Sequence, residues 1–242
     1  VNLHPAVAIE SYANAVSGAN QFGSAYFGPD IGWRASLWSG TASSWVDITP
    51  VGRYSAEIFG ASEANQVGYV NHNASLWSGT AASWVNLHPS GALFSFAFGT
   101  SGTNQVGQAS FGFQDFGRAS LWSGTAASWV NLHPSGATFS RAFGVLGPYQ
   151  VGYAVIAGSG SRASLWSGTA ASWIDITPPG YTNSEARSIS TDGAFYYITG
   201  SGYNPVTEQT EALLWTQPVP EPGTIAALTL GLTALAARRK RK

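Results

Sequence analysis

Cysteine is missing from all 242 residues, and lysine from everything before position 240. Without cysteine there is no disulfide, no thiolate metal site and no cysteine nucleophile, so the fold must be stabilised by its core alone. Charge of either sign is scarce: Asp, Glu, Lys and Arg make up 10% of the chain, against about 25% in an average soluble domain. Gly, Ser, Ala, Thr and Asn fill the surface positions instead. Five of the eleven basic residues occupy positions 238–242, which leaves six arginines against twelve acids, a formal charge of −6, before that cluster. An acidic body argues against nucleic acid and against electrostatic docking on anionic membranes. Helix signals are nearly absent from the body, as is the periodic leucine of a solenoid. What is present is 13% aromatic and 44% apolar residues, too much of both for a disordered chain.

The last two dozen residues differ from the rest. Val219-Pro220-Glu221-Pro222 is followed by fifteen uncharged residues, 223–237, and then by Arg238-Arg239-Lys240-Arg241-Lys242. Proline fixes φ and lacks an amide donor, so the Pro-Glu-Pro run stays extended and accessible. Four Leu, one Ile and five Ala in the apolar run favour helix and tolerate lipid. The terminal cations resist crossing a membrane. An ordinary surface helix would need a polar face, and 223–237 offers only Thr224, Thr229 and Thr233.

This order of parts resembles the PEP-CTERM sorting signal of Gram-negative bacteria, with Pro220, Glu221 and Pro222 where that family has its motif. Arg238, Arg239, Lys240, Arg241 and Lys242 stand as the membrane-stop cluster. The resemblance implies export, a transient inner-membrane anchor through 223–237, cleavage near the motif by an exosortase, and release to the cell surface or beyond. The Leu-Pro-x-Thr-Gly of a sortase signal is absent. Fifteen helical residues span roughly 22 Å against a hydrocarbon core of about 30 Å, a marginal anchor that suits a segment meant to be removed. The chain thus divides into a body, 1–217, and a sorting signal, 218–242. The opening Val1-Asn2-Leu3-His4-Pro5 recurs later inside a repeat. With no leader ahead of an export tail, a truncated start is expected.

Repeats dominate the body. Ala35 to Pro50, Ala74 to Pro89, Ala119 to Pro134 and Ala163 to Pro178 are near-identical, and their first tryptophans, Trp38, Trp77, Trp122 and Trp166, lie 39, 45 and 44 residues apart. Ala212-Leu213-Leu214-Trp215 is a worn fifth copy. Between blocks recur Gln21-Phe22-Gly23, Gln66-Val67-Gly68, Gln105-Val106-Gly107 and Gln150-Val151-Gly152. A period of about 40–45 residues holding several short strands predicts propeller blades. Four strands are expected per unit: Ala-Ser-Leu-Trp, Trp-Val-Asn-Leu-His, a Ser-x-Ala-Phe-Gly stretch and Gln-Val-Gly-Tyr. Val1–Pro5 and Ala212–Trp215 would complete one blade if joined, for five in all; the alternative is a cut through a larger ring or an open array. The cadence A-x-L-W-x-G … Q-V-G resembles the HAF-type repeats of bacterial extracellular proteins, a family that implies export and no particular chemistry. The expected fold is all-β, a propeller-like ring of about five four-stranded blades plus one C-terminal hydrophobic helix.

Chemistry-bearing residues do not converge. His4, His88 and His133 share one repeat position with Thr49 and Thr177, which reads as a strand-end hydrogen-bonding site and not as a metal ligand. Asp47, Asn86, Asn131 and Asp175 alternate between acid and amide, which suits local backbone bonding. Glu10, Glu57, Glu63 and Glu185 are scattered, and glycosidase chemistry needs two placed carboxylates. No metal, cofactor or catalytic residue is expected. Regular tryptophans suit blade packing, and the second of each block, Trp45, Trp84, Trp129 and Trp173, is the better candidate for stacking on a ligand. The reading is an exported, non-enzymatic propeller at the cell surface or in extracellular matrix, with an exosortase as processing partner. The rival is a lectin-like propeller that binds extracellular polysaccharide through the repeat aromatics. A polysaccharide-acting enzyme is third.

Overall fold

The short apolar runs between Gly, Pro and Asn boundaries form antiparallel strands in the computed structural model, which describes residues 1–113 and 116–219. Sheet one is β1 (Glu10–Ser17), β2 (Asn20–Tyr26), β3 (Trp33–Trp38) and β4 (Val46–Asp47). Sheet two is β5 (Ala56–Ser62), β6 (Asn65–Val70), β7 (Asn73–Trp77) and β8 (Val85–Asn86). Sheet three is β9 (Phe94–Ser101), β10 (Asn104–Ser110), β11 (Arg118–Trp122) and β12 (Val130–Asn131). Sheet four is β13 (Ala137–Leu146), β14 (Tyr149–Ile156), β15 (Gly160–Trp166) and β16 (Ile174–Asp175). Sheet five has three strands: β17 (Thr182–Thr191), β18 (Phe195–Asn204) and β19 (Gln209–Pro218).

Every sheet is a meander in chain order, and the first strands stack on one another: β1 on β5, β5 on β9, β9 on β13, β13 on β17. That places the first strands innermost and the fourth outermost. The expected class is found: an all-β, propeller-like array of five blades. Its phasing differs from the expectation, because a sheet groups the third and fourth strands of one sequence unit with the first and second of the next. The two chain ends do not join into a blade either. Among the described residues Val1–Pro5 forms no strand, β19 pairs with β18 alone, and no contact comparable to those between neighbours brings β17 to β1. The predicted helix 223–237, the Pro220–Pro222 motif and the basic cluster lie outside the described residues. Among the described residues, no helix is long and apolar enough to cross a membrane.

The Gln-Val-Gly signal has a steric cause. In each sheet the first strand carries a bulge opposite this glycine, leaving Asn14, Phe59, Phe98, Phe143 and Arg187 as the extra residues. A Cβ on Gly68, Gly107 or Gly152 would lie 1.8–1.9 Å from the carbonyl oxygen of Glu57, Phe96 or Arg141. Only glycine permits that approach.

Cores form between blades and not within them. One face of sheet two offers Val67, Ala74, Leu76 and Leu87, and against it pack Ala97 and Trp122 of sheet three. The same exchange joins Val106, Ala119, Leu121 and Leu132 to Ala142 and Trp166. The first tryptophans, Trp38, Trp77, Trp122 and Trp166, are fully buried. The buried glutamines close the outer turn: Gln105 donates from Nε2 to Thr103 O and accepts at Oε1 from Gly124 N, both at 2.8 Å. Gln21, Gln66 and Gln150 repeat these bonds. Both ends of the amide are satisfied, as burial requires.

Candidate functional site

The second tryptophans are half-buried, and their polar atoms are already engaged. Trp45, Trp84, Trp129 and Trp173 each donate from Nε1 to the serine hydroxyl of their own Ala-Ser-Leu-Trp strand, at 2.8–3.0 Å. Trp84, Trp129 and Trp173 also pack against the core between two blades. The Arg53 guanidinium lies 5.1 Å above the Trp84 ring. Trp45 also lines a cavity.

That cavity, about 420 Å³, lies where sheet one meets the chain entering sheet two. Phe27 and Trp45 form an aromatic wall with ring centroids 5.0 Å apart, and Ile31 and Tyr54 extend it. Asp30, Asp47, Arg34 and Arg53 supply the charge. Arg34 Nε meets Asp47 Oδ2 at 2.8 Å and its Nη1 donates to Arg53 O at 2.9 Å, while Asp47 Oδ1 accepts from Thr49 N at 2.8 Å. Tyr54 donates its hydroxyl proton to Pro29 O and fastens the loop between β2 and β3. Aromatic faces beside fixed polar groups are what a sugar ring or small organic ligand requires. Trp45 was foreseen here. Phe27, Asp30, Arg53 and Tyr54 were not, because they fall outside the repeated blocks. The signal that could have found Phe27 and Asp30 is the insertion Phe27-Gly28-Pro29-Asp30-Ile31-Gly32, which the third sheet echoes, with Phe111 4.9 Å from Trp129.

The histidines are junction residues. His88 places Nδ1 2.8 Å from Ser95 Oγ and Nε2 3.0 Å from Ala92 O, so it joins the end of one blade to the first strand of the next. His133 does the same toward Ser140 and Ala137. His4 makes these bonds to Ser11 and Ala8, at the entry to the first sheet. Where the position is threonine, Thr49 Oγ1 accepts directly from Ala35 N at 2.9 Å. His72 occupies a tight hairpin turn with Asn71, both at positive φ. Among the described residues no group of three His, Asp or Glu could hold a metal ion.

Of the scattered glutamates, Glu10, Glu57 and Glu185 have local side-chain partners. Glu57 accepts from Tyr69 Oη at 2.5 Å, and burial together with this bond pushes the Tyr69 phenol well above its ordinary range. Glu185 accepts from Arg187 Nε at 2.8 Å. Glu10 accepts from Tyr12 Oη at 3.2 Å.

Comparison with protein families matches residues 218–242 to the PEP-CTERM protein-sorting motif. The match implies an exported protein sorted by an exosortase. Comparison with curated proteins finds no match. Among solved structures, TolB from Acinetobacter baumannii has a TM-score of 0.51 at 10% identity, over 86% of this chain and 55% of that one. A chain of a nidogen/laminin complex gives 0.49 at 8% identity, over 84% of this chain and 80% of that one. The TolB likeness supports the propeller-like fold and nothing finer. The resemblance to HAF-type repeats finds no support in these comparisons.

Proposed function

We propose that the chain is a propeller cargo, 1–217, carried by a removable sorting signal, 218–242, and that the body acts outside the inner membrane as a non-catalytic structural or binding module. The observation that carries the reading is the family match over 218–242, at the end of a body whose strands run to Pro218. In this reading Pro220, Glu221 and Pro222 are recognised by the exosortase. The run 223–237 holds the chain in the inner membrane of a Gram-negative cell, and Arg238 to Lys242 stay on the cytoplasmic side. Mass spectrometry of the exported protein should find no peptide from 238–242. Recovery of that peptide on exported protein, in a strain with a working exosortase, would overturn the assignment.

A second reading is a lectin-like propeller that takes up extracellular polysaccharide. It is favoured by the cavity of Phe27, Trp45 and Tyr54, where an aromatic wall stands beside Asp30 and the Arg34–Asp47 pair. Glycan binding abolished by Trp45→Ala and retained in Trp129→Ala would place the ligand there. Equal loss in both variants would point to packing instead. Hydrolysis of the glycan, removed by Asp30→Asn, would replace the binding module with an enzyme.

A further inference from the structure

The bulges that shape the first strands also sort their side chains. A bulge re-aims the residue it inserts, and here Phe59, Phe98 and Phe143 come into one row on successive blades, with centroids 5.4 and 5.7 Å apart. Two residues before each inserted one stand Tyr12, Glu57, Phe96, Arg141 and Glu185. This position carries four residue types in five blades, within a repeat whose outer strands are near-identical. Packing between identical blades does not demand such variety.

Arg141 is the unusual member. Its guanidinium carbon lies 5.0 Å from the Phe98 centroid, 5.4 Å from Phe139 and 5.7 Å from Phe143, so three phenyl rings surround it. Nε donates to Gln108 Oε1 at 2.6 Å. Among the described residues the two terminal nitrogens have no acceptor and no carboxylate pairs with the group. The neighbouring charges are already matched: Arg187 lies 4.4 Å from the Phe143 centroid but pairs with Glu185, and Glu57 is bonded to Tyr69. Burial holds the Arg141 guanidinium below its usual value, as expected of a cation with too few partners. A planar fork of free N–H donors beside half-buried aromatic faces fits a carboxylate in bidentate fashion. The faces would carry the apolar side of a sugar ring.

We propose that Arg141, caged by Phe98, Phe139 and Phe143, is a recognition site for the carboxylate of an acidic sugar, with the sugar ring resting on the adjacent phenyl faces. The inference rests on the body being a binding module, and it concerns a different surface from the Trp45 cavity. The body carries an excess of acids, so long-range attraction works against such a ligand and recognition must come from this local fork.

The test is calorimetric titration of the full chain with trigalacturonate and with its methyl ester. The acid should bind roughly tenfold or more tightly than the ester, and Arg141→Met should lose a similar factor, as for a charge-assisted hydrogen bond. Arg162→Met, which removes a cation paired with Asp175 on another face, should bind as the parent does. Phe139→Leu, which opens one wall of the cage, should weaken binding several-fold and serves if Arg141→Met fails to fold. Equal affinity for acid and ester would overturn the proposal. So would unchanged binding in both cage variants, competition by inorganic sulfate at matching concentration, or loss of binding through Trp45→Ala alone. Release of reducing ends from the oligomer would count against the non-catalytic reading and not against this site.

Discussion

In the first four sheets the outer-turn glutamines and junction histidines bond to neutral partners, whereas the fifth, which lacks both, places carboxylates at its turns. Gln105 holds the outer turn, Ser120 accepts from Trp129, and His133 bridges to Ser140. In sheet five Ile198 stands where the glutamine would be and Leu213 where the serine would be, and the described residues include no fourth strand. Asp192 instead accepts from Ala194 N, Phe195 N and the Tyr197 hydroxyl, and Glu211 accepts from Tyr181, Thr207 and Asn204. Leu165 is 7% exposed between blades, and its counterpart Leu214 is 63% exposed. The parts of the repeat are lost as a set. A buried glutamine is tolerable only while the turn amide fills its Oε1, so when the turn goes, an apolar residue replaces the glutamine.

The largest effect should come from the bulge glycines. Gly107→Ala drives a Cβ into Phe96 O and should cost about 3 kcal/mol or more, by overpacking against backbone that cannot yield. Because sheet three is packed on both sides, the loss should appear across the whole body in hydrogen exchange. Gly200→Ala meets Glu185 O in the same way, yet faster exchange should stay within 182–218. A body-wide loss from both variants would erase the distinction between the sheets.

Exchanging the buried residues sharpens it further. Gln105→Ile strands Gly124 N and should cost about 1–3 kcal/mol, or roughly 2–4 °C of Tm per kcal/mol in a chain of this size. The reverse change, Ile198→Gln, should also destabilise, because no turn amide waits for the new side chain. A stabilising Ile198→Gln would show that the fifth sheet had merely drifted.

Acid gives the smallest and most local effect. Hydrogen bonds from Phe195 N and then Tyr197 hold the Asp192 carboxyl below its ordinary range, and bonds from Tyr181 and Thr207 do the same for Glu211. A carboxyl depressed in the folded state contributes stability above its unfolded pKa, and that contribution is lost as pH falls through the folded value. Amide exchange in 182–218 should therefore quicken on acidification before that of the first four sheets. Simultaneous quickening everywhere would mean that these carboxylates do not hold the fifth sheet.

Strand positions, blade number and the burial of the first tryptophans were legible because turn residues and alternation report local geometry. The grouping of strands into sheets was not, since a periodic sequence gives a period without an origin. Val1–Pro5 shows the ambiguity: it has the sequence of an outer strand and makes the junction bonds of one through His4, but pairs with nothing. The Trp45 cavity was half legible, its other wall coming from an insertion that the repeat does not predict. Arg141 was hidden at a variable position. In a chain this repetitive, such a position is where a ligand-specific residue can differ without disturbing the packing.

The meander order of each sheet bears on how the protein is made. All strands of a blade come from one contiguous stretch, and each blade packs only on its neighbours in the chain, so no pairing waits for a distant segment. A chain emerging amino end first can close β1 to β4 before β5 appears, then add blades one at a time. The matched sorting motif emerges after the strands of the body. Under the proposed function the body can thus finish folding before that segment is held and cut, so that cleavage would release a completed molecule.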